Sequence, residues 1–297
     1  MAHIPVLLNE VIEIFDPKSG QRFIDATIGE GGHARAILEK TAPDGILLGI
    51  DKDYTQIEFV RNELSIFGDR LILRQGSFSN TDAILKEMGK QKMWDGILFD
   101  LGWVQSQVKE SQRGFSFNKD EILDMRYDTT RGLTAGDILT KESPQYIENI
   151  LREYAQERFA KSITDEVVKI RRKGPITRTS QLVNIVKSAT PFWYHHRRIH
   201  PATKTFQALR IAVNNELNEL LQGIENAFSF ISKNGKIVVI TFHSIEDGIV
   251  KRLFKEFQGR GSGRIFNKKP ITASRLEQML NPRARSAKLR AFIVGEV

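Results

Sequence analysis

Four short apolar runs alternate with helical patterns over the first hundred residues, and no other feature of the chain restricts its fold as strongly. Arg22–Ala26 reads as a strand ending in the turn Gly29-Glu30-Gly31-Gly32, and the helix after it carries Ala34, Ile37 and Leu38 on one face. Gly45–Ile50 is a second strand that runs into Asp51. Asp53 is placed to cap the next helix, whose apolar positions are Ile57, Val60 and Leu64. A third strand, Arg70–Arg74, a short helix, Thr81–Met88, and a fourth strand, Trp94–Leu101, complete the series. Runs this apolar are buried on both faces, which predicts a parallel sheet with helices on either side.

After Leu101 the rhythm stops. Between Gly102 and Thr205 the sequence offers turns and three helical patterns (Pro144–Tyr154, Arg158–Arg172, Thr179–Ala189) but no strand. One long amphipathic helix then carries Phe206, Leu209, Val213, Leu217, Leu220, Ile224, Phe228 and Ile231, and Asn234-Gly235 stops it. Strands return at Lys236–Phe242, Arg264–Asn267 and Leu289–Val294. The organisation expected is a discontinuous sheet domain, residues 1–105 and 206–297, interrupted by a helical insertion, residues 106–205. An insertion at the C-terminal ends of strands is expected over the ligand crevice of an open α/β sheet, which suits substrate recognition.

Charge and cysteine count narrow the function. The 297 residues contain no cysteine, which excludes disulfides, thiolate metal or cluster ligation and a Cys nucleophile. The net charge of +8 is concentrated: residues 258–290 hold nine basic side chains against the single acid Glu277. Residues 169–178 add five more, and Arg197, Arg198, Lys204 and Arg210 lie in an acid-free stretch from 195 to 210. Such runs fit a polyphosphate partner, RNA or DNA, with Arg197, Arg198, Lys204, Arg283 and Arg285 as phosphate contacts. His195, His196 and His200 have no nearby acids and read as RNA-contacting or exposed side chains, so no metal site is expected. No apolar run approaches the roughly 20 residues of a membrane span, and no secretory signal is visible, so a cytoplasmic protein is expected.

The stretch Asp25-Ala26-Thr27-Ile28-Gly29-Glu30-Gly31-Gly32-His33 joins a strand to a helix through glycines that let a ligand approach the backbone. Asp51, closing the next strand, is placed to accept both ribose hydroxyls of an adenosine. Gly29, Gly31 and Ala34 fit the relaxed dinucleotide fingerprint, and Asp25, Gly29 and Gly31 fit the S-adenosylmethionine (SAM) pattern. Asp25 would attract an ammonium and repel a pyrophosphate, which favours SAM over NAD. Phe78 ends the third strand where an adenine can rest on a ring, and Asp100 ends the fourth beside the expected methyl donor.

Without a cysteine, methylation at pyrimidine C5 by the usual covalent route is excluded, whereas an exocyclic amine or ribose hydroxyl can attack a sulfonium methyl directly. Asp100 is the first choice to accept the amine N–H. Trp103, Phe115, Phe117 and Phe242 are available to hold an unstacked base, and His243 could orient substrate or backbone.

At this point the sequence resembles the ribosomal RNA small subunit methyltransferase H family. The likeness is carried by His3–Glu10, Asp25–His33, Gly49–Asp53, Arg113–Phe117, Asp124–Asp128, His200–Arg210, Phe242–Asp247 and Asn281–Arg290, in that order. It implies a class I, Rossmann-like methyltransferase sheet with an inserted helical substrate domain. It also implies SAM as cofactor, and N4-methylation of a cytidine in the decoding region of 16S rRNA in the small ribosomal subunit. Cofactor positions carried over from the family are Gly31, Gly32, His33, Asp51, Phe78, Asp100 and Gln107. The sequence departs from the family at Trp103-Val104-Gln105-Ser106-Gln107, where Val-Ser-Ser-Pro-Gln is usual, at Tyr127 for Met, and at Gly248 for Arg. The alternatives are a non-catalytic SAM-binding RNA or ribosome assembly factor and an NAD-dependent oxidoreductase, and either a monomer or a homodimer is compatible with the sequence.

Overall fold

A computed structural model describes residues 5–89, 93–102 and 112–295. The chain divides into two compact units, residues 1–102 with 217–297, and residues 103–216.

The first unit holds a seven-stranded sheet among the described residues. Its strands are β1 (Arg22–Asp25), β2 (Ile46–Asp51), β3 (Leu71–Gln75), β4 (Trp94–Asp100), β5 (Ile231–Thr241), β6 (Gly263–Ile265) and β7 (Lys288–Val294). They lie in the order β3-β2-β1-β4-β5-β7-β6. β1 to β5 are mutually parallel, as the apolar runs predict, while β7 enters antiparallel between β5 and β6. Successive residues of each strand serve opposite cores. Phe23, Leu47, Leu98 and Val238 pack with α1 (Leu8–Phe15), α2 (Gly32–Lys40) and α3 (Tyr54–Glu63). Ile24, Leu48, Ile97 and Val239 face the other way, against Leu85 of α4 (Thr81–Glu87) and the side chains of two later helices. The fold is therefore a Rossmann-like α/β sheet of the class I methyltransferase type, covered on both faces.

The helical unit comprises α5 (Ala135–Lys141), α6 (Pro144–Ala155), α7 (Ala160–Arg171), α8 (Thr179–Ala189), the short α9 (Phe192–His195) and α10 (Thr203–Asn214). These pack around their own core, which includes Leu123, Ile138, Ile147, Ile163, Leu182 and Leu209. The only strand-like pairing among its described residues is the bridge between Ile122 and Arg178.

The structure departs from the sequence expectations at three points. The single helix from Phe206 to Ile231 is two: α10 ends where Asn215 adopts a left-handed φ of 52°, and α11 (Glu216–Ala227) begins directly afterwards. Residue 206 had been expected to return the chain to the sheet, but Thr203–Asn214 lies in the helical unit. Nor does Asn234-Gly235 stop a helix. Strand β5 already starts at Ile231, and the pair sits in a bulge where five steps of β5, Ile231 to Lys236, face two of β4, Trp94 to Gly96. Asn234 takes a φ of 67° there, and a side chain at Gly235 would strike Ile231 Cγ2 at 2.6 Å.

After β5 come α12 (Ser244–Gly259), which packs Val250, Leu253 and Phe254 into the second core, and α13 (Arg275–Leu280).

Candidate cofactor and methyl-transfer site

Three neighbouring strands, β2, β1 and β4, each end in an aspartate: Asp51, Asp25 and Asp100. Parallel pairing puts these ends on one edge of the sheet, so the sequence brings three carboxylates to one place simply by ending three strands alike. Burial pushes Asp25 up to about 8, with the charges of Asp100 and Asp51 adding to it and the Thr27 amide opposing. Burial likewise raises Asp100 to about 7, against the pull of Arg283 and with the push of Glu246. Asp51 rises to about 6 for the same first reason, held back by two amide hydrogen bonds.

Short hydrogen bonds fix the loops that leave these strands. The Asp51 carboxylate accepts Gly29 N at 3.1 Å and Asp53 N at 2.9 Å, tying the glycine turn to the end of β2. Thr27 Oγ1 accepts the backbone N–H of Asp100 at 2.7 Å, a link from the turn after β1 to the end of β4 that sequence reasoning missed. Gly31 caps α2 with a φ of 78°, a conformation that favours glycine. A Cβ on Gly32 would fall 2.3 Å from Pro5 Cγ, so the N-terminal segment seals one side of the turn. His33 is buried, with Nε2 3.0 Å from the Val6 carbonyl and Nδ1 3.8 Å from Asp100 Oδ2.

The other oxygen of Asp100, Oδ1, is buried without a hydrogen-bond partner among the described residues. A buried, unsatisfied carboxylate oxygen is costly, and a ligand donor placed there would satisfy it. Three raised acids on one edge favour a cation there and disfavour a pyrophosphate. The residues present therefore fit SAM, with its sulfonium and ammonium, better than NAD.

The remaining candidates are distributed unevenly. Phe78 opens a short turn after β3, its half-buried ring edge-to-face with Phe99 at 5.6 Å and packed against Gly223. Trp103 and Gln107 lie outside the described residues. His243 caps α12, its Nδ1 accepting Glu246 N at 3.3 Å, while the buried Glu246 carboxylate accepts the Phe242 amide at 2.9 Å. Here the ring orients backbone. Arg283 stands with its guanidinium 5.8 Å from the Phe242 ring centre and within the electrostatic reach of Asp100, and Arg285 is exposed. In the helical unit Arg197 and Arg198 are exposed, and Lys204 Nζ donates to the Gln156 carbonyl at 2.7 Å.

Not every cation of the basic runs reaches solvent. Arg290 is buried and bonds Asp247 at 2.6 Å, with Lys288 on the same carboxylate at 3.3 Å. Arg210 pairs with Glu216 in a largely buried contact, whereas Arg178, paired with Asp120, stays exposed. His200 stacks on Phe117 at 4.3 Å, half-buried rather than free at the surface.

Comparison with known proteins identifies the family. Residues 1–294 match the model of the MraW methylase family. A ribosomal RNA small subunit methyltransferase H from Syntrophotalea carbinolica is 43% identical, the alignment covering 98% of this chain and 97% of that one. The enzyme of the same name from Geobacter sulfurreducens is also 43% identical, over 98% of each chain. The chain belongs to the MraW methylase family, and it is a methyltransferase whose cofactor is S-adenosyl-L-methionine.

Proposed function

We propose that the protein methylates N4 of a cytidine in the decoding region of 16S rRNA, acting on the small ribosomal subunit in the cytoplasm. The observation that carries the transfer step is the buried Oδ1 of Asp100, an acceptor at the end of β4 with no partner among the described residues. The names of the similar enzymes support a small-subunit rRNA substrate. The decoding-region cytidine rests on the family resemblance of the sequence. No helix among the described residues is long and apolar enough to cross a membrane.

In this reading Asp25, the Gly29–His33 turn, Asp51 and Phe78 hold the cofactor, and Asp100 serves both cofactor and substrate. When bound, SAM supplies an electrophilic methyl group. An exocyclic amine is a poor nucleophile because its lone pair is delocalised into the ring. Asp100, accepting one N–H, orients the amine and turns that lone pair outward for in-line attack, and solvent takes the released proton. Arg283 pulls Asp100 toward the ionised form this task needs, against the burial that raises it to about 7. The absence of cysteine agrees with attack by nitrogen instead of a covalent route through carbon. The helical unit, residues 103–216, carries substrate recognition, with exposed arginines gripping phosphates.

The test is transfer from labelled SAM to small subunits that lack the modification, followed by digestion to nucleosides. Label in N4-methylcytidine is expected. Label in another nucleoside overturns the N4 assignment, and no label from protein that binds SAM favours the non-catalytic assembly factor.

A further inference from the structure

We propose that Phe192 and Trp193, on α9 of the helical unit, form a stacking platform for unpaired bases of the RNA substrate. This inference rests on the RNA substrate proposed above and names the part of the substrate that the helical unit reads. Phe192 is 75% exposed and Trp193 52% exposed, although both are large aromatic side chains. One exposed ring is ordinary on a protein surface. Two consecutive exposed rings, with the Arg158 guanidinium over one of them, offer apolar faces to a flat partner.

The rings are held by what lies beneath them. Their neighbour Tyr194 is buried, and its hydroxyl donates to both oxygens of the buried Glu157, at 3.0 and 2.8 Å. Trp193 leans on Phe159 with ring centres 5.9 Å apart, and Phe192 meets His196 at 4.2 Å. Trp193, braced by Phe159, has less side-chain freedom to lose on binding, which favours association.

The charge around the rings selects the partner. From Val167 to Asn215, forty-nine residues contain ten Lys and Arg and no Asp or Glu. Some of these cations are used internally, but Arg197 and Arg198 are exposed and have no acidic partner among the described residues. Arg197 lies over the Tyr194 ring at 4.8 Å, and Arg158 over Trp193 at 5.7 Å. An apolar protein surface would satisfy the rings and strand the arginines, while an acidic peptide would do the reverse. A nucleic acid strand offers flat base faces and phosphates together. Duplex RNA hides its base faces, so the partner is a single-stranded loop or segment.

The experiment measures affinity for a labelled single-stranded RNA decamer and for a blunt RNA duplex, at two salt concentrations. Removing both rings with Phe192→Ala and Trp193→Ala should weaken single-strand binding by about tenfold per ring and leave the salt slope unchanged. Arg197→Ala with Arg198→Ala should flatten the salt slope. Trp193→Phe, which keeps a ring, should restore most of the affinity, and Phe192→Ala alone keeps the test valid if loss of the Trp193–Phe159 contact disturbs the fold. The KM for small subunits should rise with the loss of RNA affinity. Single-strand affinity unchanged in the ring-free variant overturns the platform. So does a raised KM for subunits without loss of RNA affinity, which would assign the surface to a ribosomal protein. Failure of methyl transfer by the wild type, with RNA binding still ring-dependent, would sink the cytidine reading and leave the platform standing.

Discussion

His33 joins the N-terminal segment to the transfer site: its Nε2 lies 3.0 Å from the Val6 carbonyl and its Nδ1 3.8 Å from Asp100 Oδ2. In the neutral ring Nε2–H donates to Val6, so Nδ1 turns its lone pair toward the carboxylate. Replacing His33 by Ala strands the buried Val6 carbonyl, at a cost of about 1–3 kcal/mol, and loosens Pro5 from the glycine turn. His33→Gln can place an amide N–H on the same carbonyl. Urea unfolding should show the loss in the Ala variant and its partial recovery in the Gln variant, with SAM affinity following the same order.

Asp100→Asn keeps the shape and removes the charge and one acceptor. Transfer should fall by about 10²–10⁴-fold, the range for a lost proton-transfer or orienting group, while the protein still folds and binds RNA. Single-turnover rates on small subunits decide this, and a wild-type rate would remove Asp100 from the chemistry.

The three strand-end acids also set a pH dependence. Asp25, Asp51 and Asp100 have folded-state values of about 8, 6 and 7 against an ordinary 3.8. Between about pH 4 and 8 the folded protein therefore holds more protons than the unfolded chain, and its stability falls as pH rises through that window. The ligand-free protein should melt at a higher temperature at pH 5 than at pH 8, once its acid-sensitive ion pairs are accounted for by comparison with Asp100→Asn. That variant should show a shallower decline.

A cationic ligand reverses the preference for protons. SAM should bind more tightly at pH 8 than at pH 5.5, and its binding should release protons. Calorimetry in two buffers of different ionisation enthalpy reads the release directly. Proton uptake on binding would contradict the placement of the cationic groups beside these acids.

Arg290 belongs to a basic run in the sequence, and in the structure it is buried on Asp247. Arg290→Met leaves Asp247 buried with only Lys288 for a partner and should cost about 3 kcal/mol in urea unfolding. Arg285→Ala, at an exposed position, should leave stability unchanged and reduce the salt dependence of RNA binding by about one phosphate contact.

The strands and their acidic ends were legible because buried parallel strands are short, apolar and closed by polar residues. The meeting of the three acids follows from parallel pairing, and the sequence contains every part of it. Other features were hidden by competing signals. Phe228 and Ile231 continue the spacing of the helix before them, so the start of β5 at Ile231 looked helical, and only the left-handed Asn215 betrays the break further back. The pairing of Asp247 with Arg290 spans 43 residues, and no local pattern reports which of many arginines is drawn inside. The link from Thr27 to Asp100 was invisible for the same reason, since it joins a turn to a strand end 73 residues away.

Strand β4 pairs on one side with β1, made shortly before it, and on the other with β5, which begins at Ile231. During synthesis at about 5–20 residues per second, the free side of β4 waits on the order of ten seconds while the helical unit is made. Its backbone groups and the apolar Ile97, Leu98 and Phe99 lack β5 throughout that interval. A chain released early, after the helical unit, would carry an open sheet margin able to recruit a strand from another molecule. The residues from Ile231 onward thus act as the closing flap of a fold whose first half is unsafe alone.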